Sequence, residues 1–247
     1  MKSGNRFFKD CYTSILELLF PRWCCGCGQR LAVGEQLVCA ECQLSLPLES
    51  NHHWSHNLRM KQWAEHERLV RIGALTRYRQ HNIAANIIHA LKYHRNVDAG
   101  VWMGQTAVRL LCETGLFDGV DALVPLPLTP RRLHHRGFNQ SEIIARAMGE
   151  ALGIPVLTDV LRRVIDRESQ THFTWEQRKR NACNVFAAGN LESVRQLQAA
   201  KGETPHLMLV DDVMTTGTTM LGAVEVLEAD TDALISCFAW AWVAIKE

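Results

Sequence analysis

Residues 207–219, LMLVDDVMTTGTT, constrain the fold of this chain more than any other segment. The four successive apolar residues 207–210 predict a buried strand. Asp211 and Asp212 fall at its carboxyl end, where an open α/β sheet places its ligand crevice. Thr215, Thr216, Gly217, Thr218 and Thr219 follow, and Met220, Leu221, Val224 and Leu227 then recur at helical spacing.

The remaining pattern extends this unit into a layered fold. Residues 69–78 alternate as a strand, and 83–93 and 101–112 carry apolar positions at helical spacing. Residues 120–128 form a short apolar run broken by two prolines, which predicts a strand ending in a turn. A helix over 141–152 stops at Gly153 and Pro155, a second covers 219–228, and 233–243 reads as a last strand. Strands alternating with helices predict an α/β protein: a mostly parallel sheet flanked by helices.

With 247 residues the chain has room for one mid-sized domain and a small appendage. Three zones are expected: a cysteine-rich module over 1–47, a polar, histidine-rich linker over 48–67, and the α/β domain over 68–247. Near the N-terminus Phe7, Phe8, Cys11, Ile15, Leu18 and Leu19 suit an amphipathic helix; Glu17 interrupts the apolar stretch and no small-residue cleavage site follows, which argues against a signal peptide. Residues 233–245 are too few for a membrane span of about 20 residues. A soluble, cytoplasmic protein without membrane insertion is expected. A net charge of +1 excludes global attraction to polyanions, so any such site must be a local patch.

Five of the nine cysteines lie between Cys24 and Cys42. Clustering in one segment argues for metal rather than a disulfide framework. Cys24, Cys27, Cys39 and Cys42 form C-x2-C-x11-C-x2-C, two turns that can each offer two thiolates to one tetrahedral zinc. Four sulfurs leave no open position for catalysis, so the expected Zn2+ is structural; the thioredoxin-like context of a redox relay is missing. Gly26 and Gly28 are expected to supply positive φ in the knuckle. Cys25 stands outside the set as a candidate reactive thiol, and His52, His53, His56 and His66 are expected to be solvated.

The loop after residue 210 has readable chemistry. Backbone N–H groups at a glycine-containing turn and helix start make an anion nest, and threonine hydroxyls add donors. That half suits a phosphate monoester. Two aspartates would repel phosphate, so they must address sugar hydroxyls or Mg2+. A 5-phosphate, free ribose hydroxyls and a Mg-bound pyrophosphate satisfy both halves, and 5-phosphoribosyl-1-pyrophosphate (PRPP) carries all three.

The segment resembles the PRPP-binding signature of type I phosphoribosyltransferases. The resemblance implies that Asp211 and Asp212 contact the ribose 2- and 3-hydroxyls and that Thr215, Thr216, Gly217, Thr218 and Thr219 cradle the 5-phosphate. Thr215 stands where purine-salvage members carry an aspartate. Its hydroxyl does not ionise near neutral pH, which argues against purine salvage. Residues 124–141, VPLPLTPRRLHHRGFNQS, resemble the pyrophosphate-binding strand end, with Arg131, Arg132 and Arg136 after a tight turn. Residues 167–181 resemble the mobile loop that closes over PRPP and include Arg178.

RGFNQS, the Gln170, Thr171, Arg178 and Asn181 pattern, Lys92 in LKYHRN and the four-cysteine knuckle together resemble the ComF family, over most of the chain from Cys24 to Val243. The resemblance implies a role in natural transformation, with single-stranded DNA and other competence proteins as partners. Two functions compete. One is a binding module, with Arg131, Arg132, Arg136, Lys92 and Arg178 on pyrophosphate or DNA and exposed Trp54 or Trp63 stacking on bases. The other is a PRPP-dependent phosphoribosyltransferase of unknown acceptor, whose acceptor hood would draw on residues 68–78 and part of the knuckle.

Overall fold

A computed structural model describes residues 21–49, 54–93, 95–164 and 185–243. The two longest strands pair at one side of the sheet. β1 (Leu69–Tyr78) and β6 (Leu234–Val243) lie parallel, in register from Arg71↔Ser236 to Tyr78↔Val243. β5 (His206–Met214) flanks β6 on the other side, and β2 (Ala122–Pro125) flanks β5. The order is β1-β6-β5-β2 and every pairing is parallel. The expected α/β class, a parallel sheet flanked by helices, is borne out.

Side-chain alternation sorts the layers. Met208, Val210, Phe238 and Trp240 face α3 (Ile83–Tyr93), α4 (Val97–Leu111) and α6 (Gln140–Leu152), whose buried residues join the same cluster. Leu207, Leu209, Ile235 and Cys237 face the other way, against α8 (Thr218–Asp230) and a short antiparallel ladder of β3 (Leu161–Arg163) and β4 (Phe186–Ala188). α7 (Glu192–Lys201) follows β4 on that side, with Val194 buried. Both sheet edges are covered, which blocks edge-to-edge pairing. Leu48 bridges Thr76 on β1, and Val156 bridges Leu123 on β2.

Two elements differ from expectation. β5 runs past Val210 to Met214, because Asp211 and Val213 still pair with Ala239 and Ala241 of β6. The aspartates therefore sit inside the strand, beyond the end of β2. Residues 130–136, expected in a pyrophosphate-binding loop after the tight turn, form helix α5 (Pro130–Arg136). Thr129 Oγ1 accepts from Arg132 N, Pro130 opens the first turn, and Gly137 at φ 83° ends it.

The segment from Trp54 to Glu67 packs against the α/β layers. Asn57 caps the short α2 (Leu58–Gln62) and donates through Nδ2 to Ile72 O at 2.7 Å. Trp54 and Trp63, expected as exposed stacking surfaces, are buried at 3% and 6% exposure, so neither can meet a base. The Trp54 indole N–H donates to Thr114, and its ring covers Gly73, where a Cβ would stand 2.9 Å away. His66, expected to be solvated, instead meets Glu228 Oε2 of α8 at 2.6 Å. Residues 69–78 form the β1 edge of the sheet, so they are not a hood over a ligand.

His206, at the start of β5, is buried against Ser236, with Nε2 2.8 Å from Oγ. Burial, helped by Arg71, pushes its pKa from 6.5 down to about 4. The unfolded chain then binds this proton near pH 6.5 and the folded chain only near pH 4, so stability should fall as pH drops through that window. Denaturant melts should lose on the order of 3 kcal/mol across it, and His206→Gln should flatten the slope.

Candidate functional site

The crevice at the strand ends is built around Asp211 and Asp212. Asp212 is 6% exposed, and the Lys92 ammonium from the last turn of α3 lies 2.5 Å from its Oδ2. Burial works against the Lys92 charge, but Asp212 and Asp211 outweigh it and hold the pKa above its ordinary value; Arg136 pulls the other way. Asp211 is different. Its Oδ1 accepts from Ser141 Oγ and from Asp212 N, both at 2.9 Å. Burial, and then the adjacent Asp212 charge, raise its pKa to about 7, so near neutrality it can donate as well as accept a hydrogen bond.

The threonine loop follows directly. Thr215 and Thr216 are exposed, Gly217 adopts φ 83°, and α8 begins at Thr218. Thr216 and Thr218 hydroxyls lie 2.7 Å apart. The first N–H groups of α8 have no carbonyl partner within the helix and carry its positive dipole end.

Arg59, outside every expected set, and Trp63, expected instead to stack on bases, hold this loop from below. Arg59 is 3% exposed, and its Nη2 donates to Thr215 O and Val243 O, both at 2.8 Å. Its guanidinium lies over the Trp242 ring, 5.3 Å from the centroid, and burial pulls its pKa below the usual value. Trp63 packs against Gly217 so closely that a Cβ there would meet its ring at 2.4 Å. The signal available in sequence was an arginine between two aromatics in a polar stretch, which carries no motif.

The basic residues are only partly gathered. Arg136 donates from Nη1 to Gln140 Oε1 at 2.9 Å and is close enough to affect Lys92. Arg132, half-buried, shares its helix face at i, i+4, while Arg131 is exposed and turned about 100° away. Asn139 makes no side-chain cap bond to α6 and donates to Leu126 O instead. Arg178, with Gln170, Thr171 and Asn181, lies outside the described residues, as does the expected helix around Phe7 and Ile15.

Cys24, Cys27, Cys39 and Cys42 bring their sulfurs within 4.8 Å of one another. Cys27 Sγ and Cys39 Sγ are 3.8 Å apart. Four sulfurs bonded at about 2.3 Å to a tetrahedral zinc stand about 3.8 Å from each other, so the set fits a closed site. It is able to hold one metal ion, consistent with structural zinc. Cys39 is the N-cap of α1 (Ala40–Leu44), and its Sγ accepts from Cys42 N. Burial raises the Cys24 thiol, but N–H donors led by Cys39 outweigh it and bring the pKa to about 7, which favours a thiolate ligand. Gly28 adopts φ 72° as expected. Gly26 has a different reason: a Cβ there would meet Cys42 Sγ at 2.9 Å. The Cys25 thiol is pushed up by burial and by Cys24, against a weak Asn96 bond, which disfavours a reactive thiolate.

The fold and site define an α/β protein with a carboxylate–lysine–threonine crevice and a four-sulfur cluster. No protein-family profile matches the chain. Among curated proteins, competence protein F of Haemophilus influenzae is 30% identical over 48% of this chain and 52% of its own length. DNA utilization protein YhgH of Salmonella typhi is 30% identical over 57% of this chain and 59% of its own. The chain thus matches little more than half the length of these two. YhgH of Escherichia coli is 25% identical over 85% of this chain and 92% of its own. The chain is similar to competence protein F and to the YhgH proteins, as its resemblance to the ComF family led us to expect. A hypothetical protein of Neisseria gonorrhoeae with bound ppGpp is similar over 61% of this chain and 74% of its own, at 15% identity and a TM-score of 0.37, too low to argue from.

Proposed function

We propose that this chain binds PRPP or another phosphoribosyl ligand at the β5–α8 crevice and serves DNA uptake, handling single-stranded DNA in the cytoplasm. The observation that carries the reading is the joining of two acidic groups to an anion nest within one strand–loop–helix. Asp211, able to donate and accept, and Asp212 suit ribose hydroxyls. The loop from Thr215 to Thr219 suits the 5-phosphate, and Lys92, Arg136 and Arg132 suit pyrophosphate, with Arg131 and Arg178 as outer cations. Mg2+ in this reading rides on the pyrophosphate and screens its charge, since Lys92 already neutralises Asp212. Residues 1–47 act as a zinc-held module, 48–67 as the connection and 68–247 as the phosphoribosyl domain. The names of the relatives, competence protein F and DNA utilization protein, support the DNA role. Among the described residues no helix is long and apolar enough to cross a membrane.

A second reading is a PRPP-dependent transferase of unknown acceptor. The same donors would then stabilise departing pyrophosphate and an oxocarbenium-like C1. Calorimetric titration with Mg·PRPP tests the shared site. Asp212→Asn should weaken binding about tenfold to a hundredfold, the loss of a charged hydrogen bond. Because Lys92 loses its partner, folding must be verified by circular dichroism. Unchanged affinity in a folded variant would remove the aspartate from the site.

A further inference from the structure

A cleft of about 700 Å³ separates the cysteine module from the start of α4, away from Asp211 and Asp212. Nucleotide-sized ligands occupy cavities of about 300–1,000 Å³. Trp23 and Arg22 line it from the module side, joined by Gln36; Asn96, Trp102 and Gln105 line it from α4 and its cap. Trp23 is 60% exposed, an indole with no packing reason to stand in water. Its position is set by the backbone, through the Trp23↔Arg30 bridge. Trp102 is half-buried and braced from behind by Trp240, ring centroids 6.3 Å apart.

The lining has a particular chemistry. Indole faces offer stacking surface, and the Gln36 and Gln105 amides offer both donors and acceptors, while Asn96 is held by Ala99 N and Cys25 Sγ. Arg22 supplies a cation, anchored by Nη1 to Glu35 O at 2.7 Å. Asp98 also lines the cleft and can accept from an amino edge, while it argues against a bare phosphate group. A flat, heteroaromatic ligand with mixed polar edges and an attached backbone charge fits this set better than a peptide side chain or a free anion. Next to Asn96, Arg95 adopts φ 52° and donates to His135 O of the basic helix α5. Arg95 thus ties the segment before α4 to the basic helix α5.

We infer that this cleft takes an unpaired nucleobase of single-stranded nucleic acid, stacked on Trp23, with the adjoining strand led along Arg95 and α5. The inference rests on the DNA-handling reading above and gives it a second site, separate from the phosphoribosyl crevice. Fluorescence anisotropy with a labelled short single-stranded oligonucleotide, and its duplex as comparison, tests it. The wild-type chain should prefer the single strand. Trp23→Ala, at an exposed position whose backbone bridge survives, should weaken binding about fivefold to a hundredfold with the salt slope unchanged. Arg22→Gln should lower the salt slope by about one unit. Wild-type oligonucleotide affinity in Trp23→Ala, or no preference for single strand over duplex, overturns the assignment. Calorimetry with Mg·PRPP on the same variant keeps the two sites apart. Trp23→Ala should leave PRPP binding intact, whereas failure of the phosphoribosyl reading would appear as no PRPP binding by the wild type.

Discussion

Cys39→Ser is expected to abolish metal binding and lower the thermal midpoint by about 6–12 °C. The cluster is not an ornament hung on the fold. Cys24, Cys39 and Cys42 are buried in the same hydrophobic cluster as Ile87, Leu91 and Phe238. Asn86 of α3 donates to Gly26 O at 2.7 Å, and Gly26 also lies against Ile83. Structural zinc in small modules contributes about 10–16 kcal/mol of apparent folding free energy. If the α/β layers feel only about 3 kcal/mol of that, a chain of this size shifts by about 6–12 °C. Elemental analysis of protein purified without chelator should find one zinc per chain, and calorimetric melts of Cys39→Ser should show the shift. Cys112→Ser, at an exposed thiol outside the cluster, should melt like the wild type. Absence of zinc together with an unchanged melt in Cys39→Ser would reduce the cluster to four free thiols.

The parts of the molecule legible in sequence were those with a period or a spacing. The alternation over 69–78 and the helical spacing over 83–93 mark β1 and α3 at their observed bounds: β1 sends Leu75 to one layer and Ile72 and Ala74 to the other, and α3 buries one stripe against the sheet. The cysteine spacing marks a cluster that the fold does assemble. Other features depend on partners distant in sequence. The extension of β5 to Met214 is dictated by β6, which keeps pairing where the local residues turn polar. Lys92 sits beside an apolar helix face, where a snorkelling lysine looks the same; its pairing with Asp212 comes from α3 crossing the strand end. The tryptophans show the limit most plainly. Trp54 and Trp63 lie in a polar stretch and look exposed. The fold buries both, drawing Trp63 under Gly217 and Trp54 over Gly73, while Trp23 beside the cysteines is left facing solvent.

Gly217→Ala should destabilise the chain by about 3 kcal/mol or more and damage the threonine loop. Two costs combine. At φ 83° a side chain sits in the left-handed region, worth about 1–2 kcal/mol. The new Cβ would also meet Trp63 Cζ2 at 2.4 Å and Cη2 at 2.9 Å. Trp63 cannot easily give way, since it is buried and its backbone closes α2. Arg59, 3.3 Å from that Cβ, is held by its bonds to Thr215 O and Val243 O. The loop itself must therefore move, and the Thr216 and Thr218 hydroxyls move with it. Titration with Mg·PRPP should register this as a loss larger than that of Asp212→Asn, because several donors are displaced at once. A double-mutant cycle with Trp63→Leu separates the two costs. Removing the indole relieves the overlap but leaves the φ penalty, so the pair should be less destabilised than the sum of the singles by about 1 kcal/mol or more. Strict additivity in denaturant melts would mean that the indole does not brace the loop, and the route by which α2 supports the crevice would have to run through Arg59 alone.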